Sequence, residues 1–98
     1  MFARVSTFQG SPENFDAANQ QARETVLPAA RQMSGFKGML MLGDRSTGKG
    51  LAITLWESEE ALRASEDAAS KLRSQSAADT GGQIVGVERF EVVLDERG

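Results

Sequence analysis

Histidine, cysteine and tyrosine are all missing from these 98 residues, and tryptophan occurs once, at Trp56. Without imidazole or thiolate there is no Cys- or His-ligated zinc or iron site. Ser-His-Asp and Cys-His triads fall away for the same reason, and so do disulfides. There is no run of about 18 apolar residues of the kind that spans a bilayer. The start of the chain, Met1-Phe2-Ala3-Arg4-Val5, lacks the basic stretch followed by an apolar block that marks a secretion signal. A cytoplasmic location is therefore expected. The 11 basic residues are outnumbered by 14 acidic ones and are scattered along the chain. Nucleic-acid binders concentrate Lys and Arg to displace phosphate counterions. Neither nucleic acid nor an anionic membrane is an expected partner.

What is present is an ordinary globular composition, 40% hydrophobic and 26% charged. The length suits a single domain over residues 1–98. Phe2 to Phe8 reads as a strand, closed by the turn-forming Gln9-Gly10-Ser11-Pro12. A helix is predicted from about Pro12 to Met33, because Phe15, Ala18, Ala22, Val26, Ala29 and Met33 recur at spacings of three and four. Pro28 lacks a backbone donor and should kink or split that helix. Gly35 is a natural left-handed end to it. Strands follow at Phe36 to Leu42 and Leu51 to Glu57, joined by the glycine-rich loop Gly43 to Gly50. Ser58 is placed to cap a second helix running to about Ser76, with Leu62, Ser65, Ala69 and Leu72 as its inner stripe. After a loop over Ala77 to Gln83, Ile84 to Leu94 reads as the last strand.

The order β-α-β-β-α-β implies an α+β, ferredoxin-like domain: a four-stranded antiparallel sheet with both helices on one face. A sheet with one wet face should alternate apolar and polar residues, and these strands do not. Phe36, Leu40 and Leu42 are opposed by Met39 and Met41. Leu51, Ile53 and Leu55 are opposed by Ala52 and Trp56. Ile84, Phe90, Val92 and Leu94 are opposed by Val85, Val87 and Val93. Two helices cover one face only, so the other predicts a homodimer that packs sheet against sheet.

From Met33 to Leu72 the chain resembles a known pattern. Ser34-Gly35-Phe36-Lys37-Gly38 leads into a strand, a Gly/Asp loop follows, and a second strand ends in Trp56-Glu57-Ser58-Glu59-Glu60-Ala61-Leu62. This resembles the antibiotic biosynthesis monooxygenase-like family of dimeric α+β barrels. The resemblance implies two sheets paired face to face, helices outside, and a ligand held between the sheet and helices of one subunit. It further implies cofactor-independent oxidation of an aromatic or quinone-like molecule, or no activity. Haem-degrading members carry an Asn on the first strand and a Trp and a His on or near the second helix. Ungapped comparison sets Ala3, Ser65 and Gln75 at those positions, so haem degradation of that type is not expected.

Several residues are candidates for contact with such a ligand. Trp56 is either a core anchor, the commoner meaning of a lone ring, or a stacking wall. Met39 and Met41 are ordinary core or a pliable apolar wall. Arg4 either binds an acidic or phenolate group or pairs across the sheet with Glu88 or Glu91, the reading preferred here. Thr7 and Thr54, with Ser6, are the remaining hydrogen-bonding groups at hand. Glu57, Glu59 and Glu60 read as charges at a helix start rather than as a metal site. Gly43 to Lys49 spells G-x-x-x-x-G-K, but Gly50 replaces the required Ser or Thr and a strand follows, so the loop reads as a hairpin turn. No cofactor or metal is expected. A non-catalytic homodimeric module that binds a small ligand is the alternative to an oxygenase.

Overall fold

The computed structural model describes residues 1–98. Strands β1 (Phe2–Gln9), β2 (Phe36–Gly43), β3 (Lys49–Trp56) and β4 (Gln83–Glu91) form one antiparallel sheet in the order β2-β3-β1-β4. Between β1 and β2 lie a 3₁₀ turn (Pro12–Asn14), α1 (Phe15–Gln21), a π-helical stretch (Ala22–Val26) and α2 (Leu27–Arg31). Between β3 and β4 lie α3 (Glu59–Ala64) and α4 (Glu66–Thr80). The α+β, ferredoxin-like arrangement is thus the observed one.

The irregularities have local causes. Leu27 donates its N–H to the Ala22 carbonyl, five residues back, which widens the helix immediately before Pro28. A proline ring crowds the carbonyl four residues earlier, and a wider turn relieves that clash without breaking the run. Ser58 caps α3, its Oγ accepting from the Ala61 N–H at 3.1 Å. The second helical run extends a turn beyond Ser76, into the segment expected to be a loop. What stops it is Gly81, with φ +72°. Asn14 donates to the Thr80 carbonyl at that end. Gly35 has φ +80°, and a Cβ there would lie 2.5 Å from the Ala61 side chain, so only glycine fits between β2 and α3.

Register sorts the sheet into rows of directly opposed residues, which share a face. Toward the helices lie Met39–Thr54–Arg4–Arg89, Met41–Ala52–Ser6–Val87 and Phe36–Trp56–Phe2–Glu91. On the outer face lie Leu40–Ile53–Val5–Glu88, Leu42–Leu51–Thr7–Gly86 and Gly38–Leu55–Ala3–Phe90. A register shift between Phe36 and Gly38 moves Phe36 to the helix face, against the expectation that it lies with Leu40 and Leu42. A second shift at Thr7/Phe8 leaves Val85 as an extra residue and pairs Ile84 with Phe8. Strand β4 ends at Glu91, short of the expected Leu94. It is an edge strand, and its one neighbour begins at Phe2, so after a last bond from Val92 N–H to the Met1 carbonyl the ladder has no partner.

Only ten residues are buried, and several large apolar side chains are exposed. Leu40, Leu42 and Phe90 on the outer face are 47%, 49% and 50% exposed. No helix is long and apolar enough to cross a membrane.

Candidate functional site

The site is built on the three sheet rows that meet the helices. At its centre Arg4, only 2% exposed, sends one amino group to three acceptors of the second helical run. These are the Leu62 carbonyl at 2.9 Å, Ser65 Oγ at 2.9 Å and Glu66 Oε1 at 2.8 Å. The run breaks into α3 and α4 at Ser65, where the Leu62 carbonyl also receives the Ser65 hydroxyl at 2.8 Å. Side-chain groups inserted at a helical carbonyl are a recognised cause of such breaks. Arg89, next to Arg4 across the sheet, donates Nε to Glu66 Oε1 at 2.9 Å and its amino group to Oε2. The hydrogen bonds from Arg89, with those from Arg4, hold the Glu66 carboxyl down at about 2, against a smaller opposing effect of burial. Reciprocally, Glu66 raises the Arg89 guanidinium above its ordinary value.

The expected pairing of Arg4 with Glu88 or Glu91 is therefore corrected. Glu88 stands opposite Val5 on the outer face, and Glu91 opposite Phe2 at the end of the strand. The carboxylate that Arg4 meets comes from α4, 62 positions away in the chain.

Trp56 is 1% exposed and anchors the same region. The Arg4 guanidinium carbon lies 5.4 Å from its ring centroid, and Phe36 meets the ring edge-on at 5.7 Å and 76°. Its indole N–H donates to Thr54 Oγ1 at 3.0 Å. Two of the candidate polar groups are thus bonded to each other.

Beneath Trp56 a cavity of about 140 Å³ opens between the sheet and the helices. That volume is close to the roughly 150 Å³ of an engineered apolar cavity that takes up benzene. Met39 and Met41 line it from β2, Thr54 and Trp56 from β3, and Arg4 from β1. Five of the six residues singled out from the sequence thus meet at one cavity. Thr7 does not. It lies three residues from Arg4, an odd step along a strand, and so belongs to the outer face opposite Leu51. Ala22 and Val26 of the π-helical stretch also line the chamber, with Leu72 and Arg73 of α4.

Arg73 was not anticipated. It is half-buried, and burial, reinforced by the charge of Arg4, lowers its pKa from the ordinary arginine value. The signal was present, since Arg73 lies four residues after Ala69 on the inner stripe of the helix. Glu66 and Arg89 were missed for a different reason, because only the folded register brings them to Arg4. No three acidic, histidine or cysteine side chains converge on a metal-binding geometry, and Glu59 and Glu60 fall in the first turn of α3. The Gly43–Lys49 loop is a hairpin turn, in which Asp44 Oδ1 accepts from both the N–H and the hydroxyl of Ser46.

Solved structures share this architecture. A Deinococcus radiodurans protein provisionally named an antibiotic biosynthesis monooxygenase superposes with a TM-score of 0.74 over 100% of both chains, at 16% identity. The ActVA-Orf6 monooxygenase of Streptomyces coelicolor, solved with nanaomycin D, gives 0.68 over 97% of this chain and 92% of its own, at 19% identity. The chain has the antibiotic biosynthesis monooxygenase-like fold. The same fold carries the haem degrader MhuD of Mycobacterium tuberculosis, solved with two haems, at a TM-score of 0.69 and 21% identity over 99% of this chain and all of that one. Against the monooxygenase-like framework, the positions compared with haem degraders have other roles here. Ala3 lies on the outer face, Ser65 is engaged by Arg4, and Gln75 is exposed.

No family model matches the sequence. Two uncharacterised Mycobacterium tuberculosis proteins are 33% and 31% identical over 97 residues, 99% of this chain. The chain spans less than half their length, 43% and 41% respectively.

Proposed function

We propose that this chain binds a small aromatic or quinone-like molecule in the cavity beneath Trp56 and, as a monooxygenase of the cofactor-independent type, oxidises it with O₂. The observation that carries the reading is the cavity itself: an apolar chamber with Arg4, Thr54 and Trp56 on its walls rather than a filled core. An electron-rich phenol or quinol needs no metal to reduce O₂ once it is deprotonated and shielded from water. In the simplest balance a ring CH₂ and O₂ give a carbonyl and water, one oxygen atom going to each product. The role of the chain is then to bind the ring, favour its anion and exclude solvent. The apolar outer face pairs with that of a second copy, which closes a barrel of two sheets.

A second reading is a non-catalytic homodimeric binding module, and one observation favours it. The Trp56 N–H is occupied by Thr54, and the Arg4 amino group by three acceptors, so few donors are left for a developing charge. Oxygen-electrode assays with hydroquinones and anthrones, beside calorimetric titration with the corresponding quinones, separate the two. Oxygen uptake that Ala52→Leu abolishes, by filling the cavity floor while leaving the melting temperature intact, supports oxygenation. Binding without uptake supports the module. Binding that survives Ala52→Leu undiminished refutes the cavity as the site.

A further inference from the structure

Charge is unevenly distributed in this molecule. The chain carries a formal net charge of −3, yet no Asp or Glu lines the cavity, whereas Arg4, Lys49 and Arg73 do. The three cations are not equivalent. Lys49 is exposed at the hairpin end. Arg4 is neutralised through Glu66, although its buried Nε–H meets no acceptor. Arg73 is half-buried and belongs to no ion pair, the one nearby carboxylate, Glu66, being held by Arg4 and Arg89. Two guanidinium groups hold the one carboxylate, and Arg73 on the cavity wall is left without a partner. A partly desolvated cation without a partner is unfavourable, and an anion admitted to the cavity relieves that cost. The remaining wall is mostly apolar, with Met39, Met41, Leu72 and Trp56 on it, and also carries the polar side chains of Ser6, Asn19, Thr54 and Ser76. An anion that fits such a wall must carry an apolar body.

We infer that the cavity selects an aromatic carboxylate, with Arg73 as the residue that determines the preference for charge and the two methionines receiving the ring. The guanidinium fork matches a carboxylate in two parallel hydrogen bonds, which a neutral amide of the same shape does not reproduce. This rests on the proposal that the cavity holds an aromatic ligand, and it adds the sign and position of that ligand's charge.

The test is calorimetric titration of the full chain at pH 7 with 2-naphthoate and with its neutral isostere 2-naphthamide, for the wild type and for Arg73→Gln. Trp56 is the sole tryptophan, so its indole N–H resonance locates each probe at this cavity. Naphthoate is expected to bind about tenfold tighter than the amide or better, as one charge-assisted hydrogen-bonded pair provides. Arg73→Gln removes that preference, with naphthoate losing more affinity than the amide, and Arg73→Lys retains part of it. Equal affinity of the wild type for the two probes overturns charge selection while leaving the aromatic cavity standing. A preference that survives Arg73→Gln overturns the assignment to Arg73. If neither probe moves the Trp56 indole signal, the inference and the cavity reading fail together.

Discussion

The two faces of one sheet are made from alternating residues of the same four strands, yet they have little chemistry in common. Toward the helices the central row reads Met39, Thr54, Arg4, Arg89, and it ends in an ion-paired network with Glu66. On the outer face the corresponding row reads Leu40, Ile53, Val5, Glu88, and the rows beside it are almost wholly apolar. The conventional arrangement would be the reverse, with polar groups facing water and apolar groups facing helices. In this chain the covered face holds the polar groups and a cavity, and the uncovered face holds the aliphatic side chains. Stability and specificity are thereby separated: the outer face offers non-directional burial, and the inner face offers directed bonds and space.

The largest expected effect breaks the outer half of this contrast. Sedimentation at micromolar concentration should show a dimer. Leu40→Glu combined with Ile53→Glu should return it to monomer, weakening association by about a thousandfold or more, since two apolar side chains are lost from burial and two carboxylates are placed against an apolar surface. A wild-type chain that sediments as a stable monomer would remove the assembly proposal and leave the cavity untouched.

The next effect tests the inner half. Arg4→Ala leaves Ser65 and the Leu62 carbonyl without their shared donor and opens a void beside Trp56. A loss of about 3 kcal/mol in denaturant unfolding is expected. This makes Arg4 a poor position for testing catalysis, because loss of turnover would follow from loss of the fold. Glu66 sharpens the same point through pH. Its folded pKa, about 2, lies below the ordinary 4.5, so its contribution to stability is complete above about pH 4.5 and is lost as pH falls toward 2. Glu66→Gln should be less stable than the wild type at neutral pH, and the difference should shrink steadily through that window in acid-denaturation curves. A constant difference from pH 7 to pH 2 would contradict the role given to the carboxylate.

The contrast also explains how much could be read from the chain. Strand order and both helical runs were legible, because spacings of two and of three to four survive without any knowledge of the partners. The apolar outer face was legible too, from the failure of Leu40, Leu42, Leu51 and Ile53 to alternate with polar neighbours. Alternation is counted from a fixed origin, however, and two register shifts reset the count. Phe36 and Val85 were misplaced or left unexplained for that reason. Of the residues singled out from the sequence, Trp56, Thr54, Met39, Met41 and Arg4 line one cavity because they share a parity across paired strands. Thr7 has the other parity and should have been rejected on that ground. The partner of Arg4 was beyond reach, because nothing in Arg4 or Glu66 alone records how α4 is rotated above the sheet.

The smallest effect separates two explanations of the helix break that the inner face depends on. Ser65 donates to the Leu62 carbonyl and accepts from Arg4, so both residues stand at the interruption of the run. In Ser65→Ala the Arg4 bond to the Leu62 carbonyl and the bond to Glu66 both remain available. If Arg4 sets the break, the variant should lose only about 2 kcal/mol, the ordinary net cost of two buried hydrogen bonds. The backbone chemical shifts of Ser65, whose φ of −86° and ψ of −6° mark the break between α3 and α4, should then stay as in the wild type. If they turn helical instead, Ser65 was setting the break, and Arg4 merely fills a gap that the helix already had.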